Sequence, residues 1–471
     1  MRRSSLRTLM GLGVAVTLFL GRPAPTSFEH QRLDWTPCQA GLECAGLTVP
    51  ADHFREGGRT IKMAVARLAA LDPSRRLGSV VINFGGPGIG GIERMAAYPE
   101  EFAALRARYD LVTFDPRGVG ASAPFSCHDQ GAVPSYLRAD LTPEHRGERD
   151  ELVRALASYA AECERRNGWL MPYLNTTDTA RDLDLLRSAL GEEKLTYLGF
   201  SYGGALGTAY AQLEPDRVGR MVLDSPMVVS GDTVDLQTAD GMIDGLDDQL
   251  KTFARDCGKH SGCPVSRVFM ATELSNRFQL LDTTPLRVRN GSLSEGLARS
   301  GVIGFLEDRD WDGLREALKA FAEGDGQPLF DAAVRFHESD ANMAINCADS
   351  AARPRPEDIE AHLNQAGERS PMFGRWVLWQ HLMCEGLPAN PVPEQLPLRT
   401  APVLVVGTTD DPVTSFEEAQ FLRDILIGSE LLTVEGDGHT SYASGNDCAD
   451  KAIEDYLFDG VLPEQHCEKG D

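Results

Sequence analysis

No stretch of the chain approaches the roughly 18 consecutive apolar residues that a membrane-spanning helix needs, so the mature protein is expected to be soluble. No C-x-x-C pair occurs, which removes the commonest framework for structural zinc. Basic runs are missing as well. With 46 basic against 70 acidic side chains the net charge is −24, a surface that repels phosphate backbones and anionic lipid. Nucleic acid is therefore excluded as a partner, and so is a membrane surface for the mature form. No repeat of solenoid period and no low-complexity tract is present, which argues against a repeat array. The glycine-rich segments lack the Lys-Ser/Thr ending of a P-loop and the spacing of a dinucleotide-binding turn.

What is present suits a globular protein with one large core and a second lobe: 471 residues, of which 42% are hydrophobic and 25% charged. The ten cysteines fall in local pairs, Cys38 with Cys44, Cys127 with Cys163, Cys257 with Cys263, Cys347 with Cys384 and Cys448 with Cys467, which predicts five disulfides in an oxidising compartment. Cys257, His260 and Cys263 could offer three metal ligands, but no fourth lies nearby, and no metal or cofactor is expected. At the amino end Arg2, Arg3 and Arg7 precede the apolar stretch Thr8 to Leu20, and Pro23 follows. Residues 1–26 read as a secretory signal peptide, so the destination is extracellular.

Unalternating apolar runs of strand length recur at Ser79 to Phe84, Leu111 to Phe114, Leu195 to Leu198, Met221 to Leu223, Val403 to Val406 and Leu431 to Val434. Such runs suit a parallel sheet buried on both faces. Helical patterns at Glu148 to Arg166 and Thr179 to Leu190 alternate with them, giving the rhythm of an α/β domain. Before the last two strands stands a long stretch with helical patterns at Asp312 to Glu323 and Pro356 to Gln365. The expected organisation is a core of residues 27–224, a mainly helical cap of residues 225–400, and the rest of the core at 401–471.

Between the run ending at Leu198 and the helical pattern Ala205 to Ala211 lies Gly199-Phe200-Ser201-Tyr202-Gly203, a strand-to-helix turn with a serine at its tip. There Ser201 would project as a nucleophile at the positive end of a helix. A serine nucleophile needs a base, an acid to orient that base, and donors for the oxyanion. His439, in the glycine-rich loop Glu435 to His439, is the candidate base. Asp411, in the loop Gly407 to Thr414, is the candidate acid, with Asp410 its competitor. Both loops follow strands, where ligand-facing groups of such sheets sit. The N–H groups of Gly86, in Gly85-Gly86-Pro87-Gly88, and of Tyr202 are the candidate oxyanion donors. The chain order Ser, Asp, His is that of the α/β-hydrolases.

These motifs, together with Asp115 to Ser122, the block from Asp182 through Pro215-Asp216-Arg217-Val218, and the segment Cys448 to Cys467, resemble the secreted tripeptidyl aminopeptidases, relatives of the prolyl aminopeptidases within the α/β-hydrolase fold. The resemblance spans nearly the whole mature chain. It implies Ser201 as nucleophile, Asp411 as acid, His439 as base, Gly86 and Tyr202 at the oxyanion, no cofactor, and peptide substrates with a free N-terminus. The chain departs from the family at Phe84 and Ser415, where proline is common, and at Gly90, where serine is; these positions bear on the acyl pocket. A serine exopeptidase releasing short peptides, tripeptides or single residues, is the leading expectation. An esterase or lipase on the same machinery and a non-catalytic binding protein are the alternatives, and the number of subunits stays open. Arg117, in the loop after the second expected strand, reads as a tie between loops.

Overall fold

The computed structural model describes residues 28–55, 57–129, 132–229, 239–260, 263–264, 270–337, 339–393, 395–463 and 466–468. The expected signal peptide lies outside them. A ten-stranded sheet forms the centre. Its strands are β1 (Thr36–Pro37), β2 (Glu43–Pro50), β3 (Thr60–Leu68), β4 (Gly78–Asn83), β5 (Tyr109–Phe114), β6 (Leu195–Phe200), β7 (Val218–Asp224), β8 (Val403–Thr408), β9 (Glu430–Val434) and β10 (His466–Cys467). They stand in the order β1-β2-β3-β5-β4-β6-β7-β8-β9-β10. From β5 to β10 all neighbours pair parallel, while β1, β2 and β3 form an antiparallel extension on β5.

The central strands β4, β5 and β8 are buried at every position, which is why they read as continuous apolar runs. The expectation omitted β1, β2, β3 and β10. In β3 the signal was alternation, Ile61 and Met63 inward against exposed Thr60 and Lys62, a period-two pattern rather than an apolar run.

Helices of the first part of the core are α1 (Gly91–Ala97), α2 (Arg146–Asn167), α3 (Thr176–Ala189) and α4 (Tyr202–Leu213). Between β7 and β8 come α5 (Ala239–Cys257), α6 (Met270–Thr283), α7 (Glu295–Glu307), α8 (Trp311–Ala322), α9 (Gln327–Phe336), α10 (Asp340–Asp349) and α11 (Gly374–Gln380). Then α12 (Phe416–Ile425) and α13 (Asp447–Asp459) complete the core. The helix expected over Pro356 to Gln365 is broken into Pro356–Glu360 and Leu363–Arg369. The cause is local: His362 Nδ1 lies 2.8 Å from the Asp358 carbonyl, the acceptor its own N–H would use in an α-helix, and that N–H bonds Ile359 instead.

One face of the sheet and the insertion share a single apolar cluster, running from Val81, Tyr197 and Leu223 to Phe253, Ile303 and Trp376. A second cluster, including Ile82, Leu198, Val406 and Tyr456, fills the other face. The five disulfides join the cysteines in the pairs expected, so Cys257 and Cys263 are bonded to each other and not free to bind metal. Arg117 is fully buried. It holds Asp182 through two nitrogens at 2.7 Å each and donates to the carbonyls of Pro50, Ala51 and Tyr173, tying three segments together.

Candidate active site

Ser201 sits between β6 and α4 with φ 53° and ψ −119°, a conformation that costs a non-glycine residue energy unless its surroundings impose it. They do so by hydrogen bonds. Its N–H donates to Asp224 at 3.0 Å, and its carbonyl accepts from Gly204 at 2.8 Å and Met227 at 2.9 Å. The flanking glycines contribute space. A Cβ on Gly199 would lie 2.4 Å from the Gly203 carbonyl oxygen, and one on Gly203 would lie 2.9 Å from the Asn83 carbonyl oxygen. The positive φ is carried by the serine itself, and the glycines let strand and helix approach.

Gly85 and Gly86 have φ of +89° and +102°, open to glycine at little cost. A Cβ on Gly85 would meet Phe200 O at 2.8 Å and Ser201 Cβ at 2.9 Å, so the Gly85–Gly88 loop lies directly on the serine turn. Among the described residues no acceptor takes the N–H of Gly86 or of Tyr202. Two donors are thereby left beside Ser201.

His439 Nδ1 lies 3.0 Å from both carboxylate oxygens of Asp411, whose side chain is only 1% exposed. Asp411 also accepts from the N–H groups of Val413 at 2.9 Å and Thr414 at 3.0 Å and from Thr414 Oγ1 at 3.2 Å. These donors fix the carboxylate's orientation toward the ring. Asp410 is exposed and makes no bond to the imidazole. Among the described residues no hydrogen bond joins Ser201 Oγ to the imidazole, a contact that commonly tightens only when substrate is bound.

The loops are indexed to one another through Asp224, the last residue of β7, which motif reading did not single out. Its buried carboxylate accepts from Ser441 N at 3.0 Å and Tyr442 N at 2.8 Å, while its carbonyl takes Ser201 N. Burial raises its carboxyl to about 6 despite those donors. The legible signal was a carboxylate closing an apolar strand run. Thr414, bonded to Asp411 and at 2.9 Å to the Ser225 carbonyl, was likewise missed.

From the insertion, the end of α7 overhangs the His439 loop. Arg309 Nη2 is 3.8 Å from Asp437, and Glu307 is near enough for its charge to interact with His439. Glu307 is open to water yet closely hemmed by protein, and that enclosure raises its carboxyl to about 7, a shift that the water reaching it moderates. Among the described residues it has no hydrogen-bond or ion-pair partner. Elsewhere, Asp140, Glu144, Glu148 and Asp282 bring carboxylate oxygens within 4.8 Å of one another. Burial raises Asp140 to about 6 and Glu144 to about 7, so proton uptake can relieve their repulsion.

A parallel sheet whose carboxyl ends carry a serine turn, an aspartate loop and a histidine loop in that order defines an α/β-hydrolase, and the α/β hydrolase fold family matches residues 78–445. The chain belongs to that family. It is 30% identical to serine protease Hip1 of Mycobacterium tuberculosis over 92% of this chain and 90% of that one. It is 32% identical to tripeptidyl aminopeptidase of Streptomyces coelicolor, over 91% and 84% of the two chains. A carboxylesterase B of Mycobacterium tuberculosis is 30% identical, over 89% and 85%. Among the described residues no helix is long and apolar enough to cross a membrane.

Proposed function

We propose that this protein is a secreted serine exopeptidase that releases short peptides, tripeptides or single residues, from free N-termini through an acyl-enzyme. Ser201 Oγ attacks the scissile carbonyl while His439 takes its proton. The tetrahedral oxyanion is held by the N–H groups of Gly86 and Tyr202. His439 then gives the proton to the departing amine, leaving the acyl group on Ser201, and a water activated by the same imidazole hydrolyses the ester. Asp411 keeps the ring oriented and stabilises its cation. Residues 1–26 serve as the signal peptide, and residues 225–400 act as a cap over the mouth of the site.

The observation that carries this reading is the His439–Asp411 pair at 3.0 Å in a chain that matches two peptidases along most of its length. Recognition of the free amine falls to Glu307, a carboxylate of the cap beside His439 with no partner among the described residues, where a substrate ammonium gains a charge-assisted hydrogen bond. An esterase is the second reading, favoured by the similarity to the carboxylesterase. The test is a panel of aminoacyl, dipeptidyl and tripeptidyl chromogenic amides, each with free and acetylated amine, beside simple esters. Preference for free-amine amides supports the exopeptidase. Equal cleavage of blocked and free peptides, or hydrolysis of esters alone, overturns it.

A further inference from the structure

Both candidate oxyanion donors are braced by the same ten-residue helix, α10, although neither belongs to it. At its first turn Asn342 Nδ2 donates at 2.8 Å to the carbonyl of Pro87, the residue directly after Gly86. The amide cannot be reversed without loss, because Asn342 Oδ1 already accepts from Asn346 Nδ2 at 3.1 Å and an oxygen would then face the Pro87 oxygen. The fit is close: a Cβ on Gly88 would lie 2.7 Å from Ser339 Oγ and 2.9 Å from Asn342 N. At the other end buried Asp349 accepts from Thr176 N at 2.8 Å and Thr176 Oγ1 at 2.6 Å. Thr176 Oγ1, its proton so used, lies 2.6 Å from the hydroxyl of Tyr202, whose backbone N–H is the other donor.

The helix is itself pinned. Asp340 accepts from Cys127 N at 2.6 Å and from the Tyr159 hydroxyl, and a disulfide joins Cys347 to Cys384. Its two contacts, seven positions apart, are separated by roughly 10 Å of rigid helix. Otherwise the loop and the helix N-terminus are related through the β4–β6 pairing, with Asn83 beside Gly199, and through the serine turn.

We propose that α10 fixes the distance between the two oxyanion N–H groups, with Asn342 as the positioning residue for the Gly86 loop and Asp349 for Tyr202. This rests on the serine-hydrolase reading above. Neither residue touches the reacting atoms. Each acts by keeping a donor aimed at the place where negative charge develops, which favours the transition state over the bound substrate.

The experiment compares Asn342→Ala and Asn342→Asp with the unaltered enzyme, all normalised to active sites titrated by a fluorophosphonate. Removing an oxyanion donor outright costs about 10²–10³ in kcat, so a misplaced one should cost about 10- to 100-fold. The expected result is a fall of that size in kcat with KM within about twofold. A peptide aldehyde, whose adduct with Ser201 places an oxyanion in the same hole, should bind more weakly by a similar factor, and the product peptide acid should bind unchanged. Asn342→Asp should be at least as impaired as Asn342→Ala, since its carboxylate faces the Pro87 carbonyl. Normalised kcat within about twofold of the unaltered enzyme in both variants overturns the proposal. So does equal weakening of aldehyde and product, which would mark a general loosening of the pocket. If the fluorophosphonate fails to label Ser201 in the unaltered enzyme, the parent reading falls first and this one with it.

Discussion

Replacing Glu307 by glutamine keeps the shape of the side chain and removes only its charge. Because Glu307 has no partner among the described residues and stands open to water, its bond to a substrate ammonium belongs at the lower end of the charge-assisted range, about 1.5 kcal/mol. That corresponds to about a tenfold loss in kcat/KM. The assay is a tripeptidyl chromogenic amide and its N-acetyl twin, measured on both enzymes. Glu307→Gln should lose about tenfold on the free amine and less than twofold on the blocked one, so the preference collapses. The pH dependence of that preference adds a sign. With its carboxyl at about 7, Glu307 gains charge as pH rises through 7 in the free enzyme, while the substrate amine loses its own near about 8. The free-to-acetyl ratio should therefore rise from pH 5 to a maximum between about 7 and 8 and then fall, with His439 cancelling because both substrates use it. In Glu307→Gln the ratio should stay near unity throughout. Equal losses on both substrates would show that Glu307 acts on His439 instead of on the amine, and no loss on either would remove it from the site.

Ser201→Ala should abolish turnover with an unchanged melting curve, and Asp411→Asn should cost about 10³–10⁴-fold in kcat while Asp410→Asn costs little; the reverse ranking moves the acid to Asp410. Arg117→Met should lower unfolding stability by about 3–5 kcal/mol in a denaturant titration, because Asp182 is left as a buried charge without its main partner. Asp349 carries a carboxyl raised by burial from 3.8 to about 7, so its contribution to stability is full below about 4 and is lost as pH rises through 7. Asp349→Asn does not titrate. Its stability relative to the unaltered protein should therefore improve by a few kcal/mol between pH 4 and pH 8, and a difference independent of pH would refute that assignment of the proton.

The parts of the molecule legible in the sequence are those whose cause is local. Val80 to Ile82 and Val403 to Val406 are apolar without interruption because both faces of their strands are covered, and nothing else explains such runs in a chain this acidic. Gly199 marks the close approach of β6 to α4, and Gly203 that of α4 to the end of β4, since a side chain at either would collide with backbone. Histidine and aspartate loops directly after strands could be aligned with a serine turn by order alone. What could not be read depends on partners far away in the chain. Asp224 matters because Ser441 and Tyr442 bring their N–H groups to it, and Asn342 because Pro87 faces it from the loop after β4. No local pattern marks an asparagine in the first turn of a helix as the neighbour of a loop more than two hundred residues earlier. The choice between Asp410 and Asp411 was likewise a matter of which side chain points inward, decided by the turn in which Val413 and Thr414 donate to Asp411.

The long insertion between β7 and β8 also sets the order in which the molecule is completed. During synthesis Ser201 emerges with its strand and helix well before the insertion, and His439 emerges only after it. The loop holding His439 cannot settle until β8 has docked along β7 and Asp224 has received the amides of Ser441 and Tyr442. A chain interrupted between residues 201 and 439 therefore carries the serine without the imidazole. Translation stalled inside the insertion therefore leaves a fragment without the His439–Asp411 pair, which forms only once the last part of the core is made.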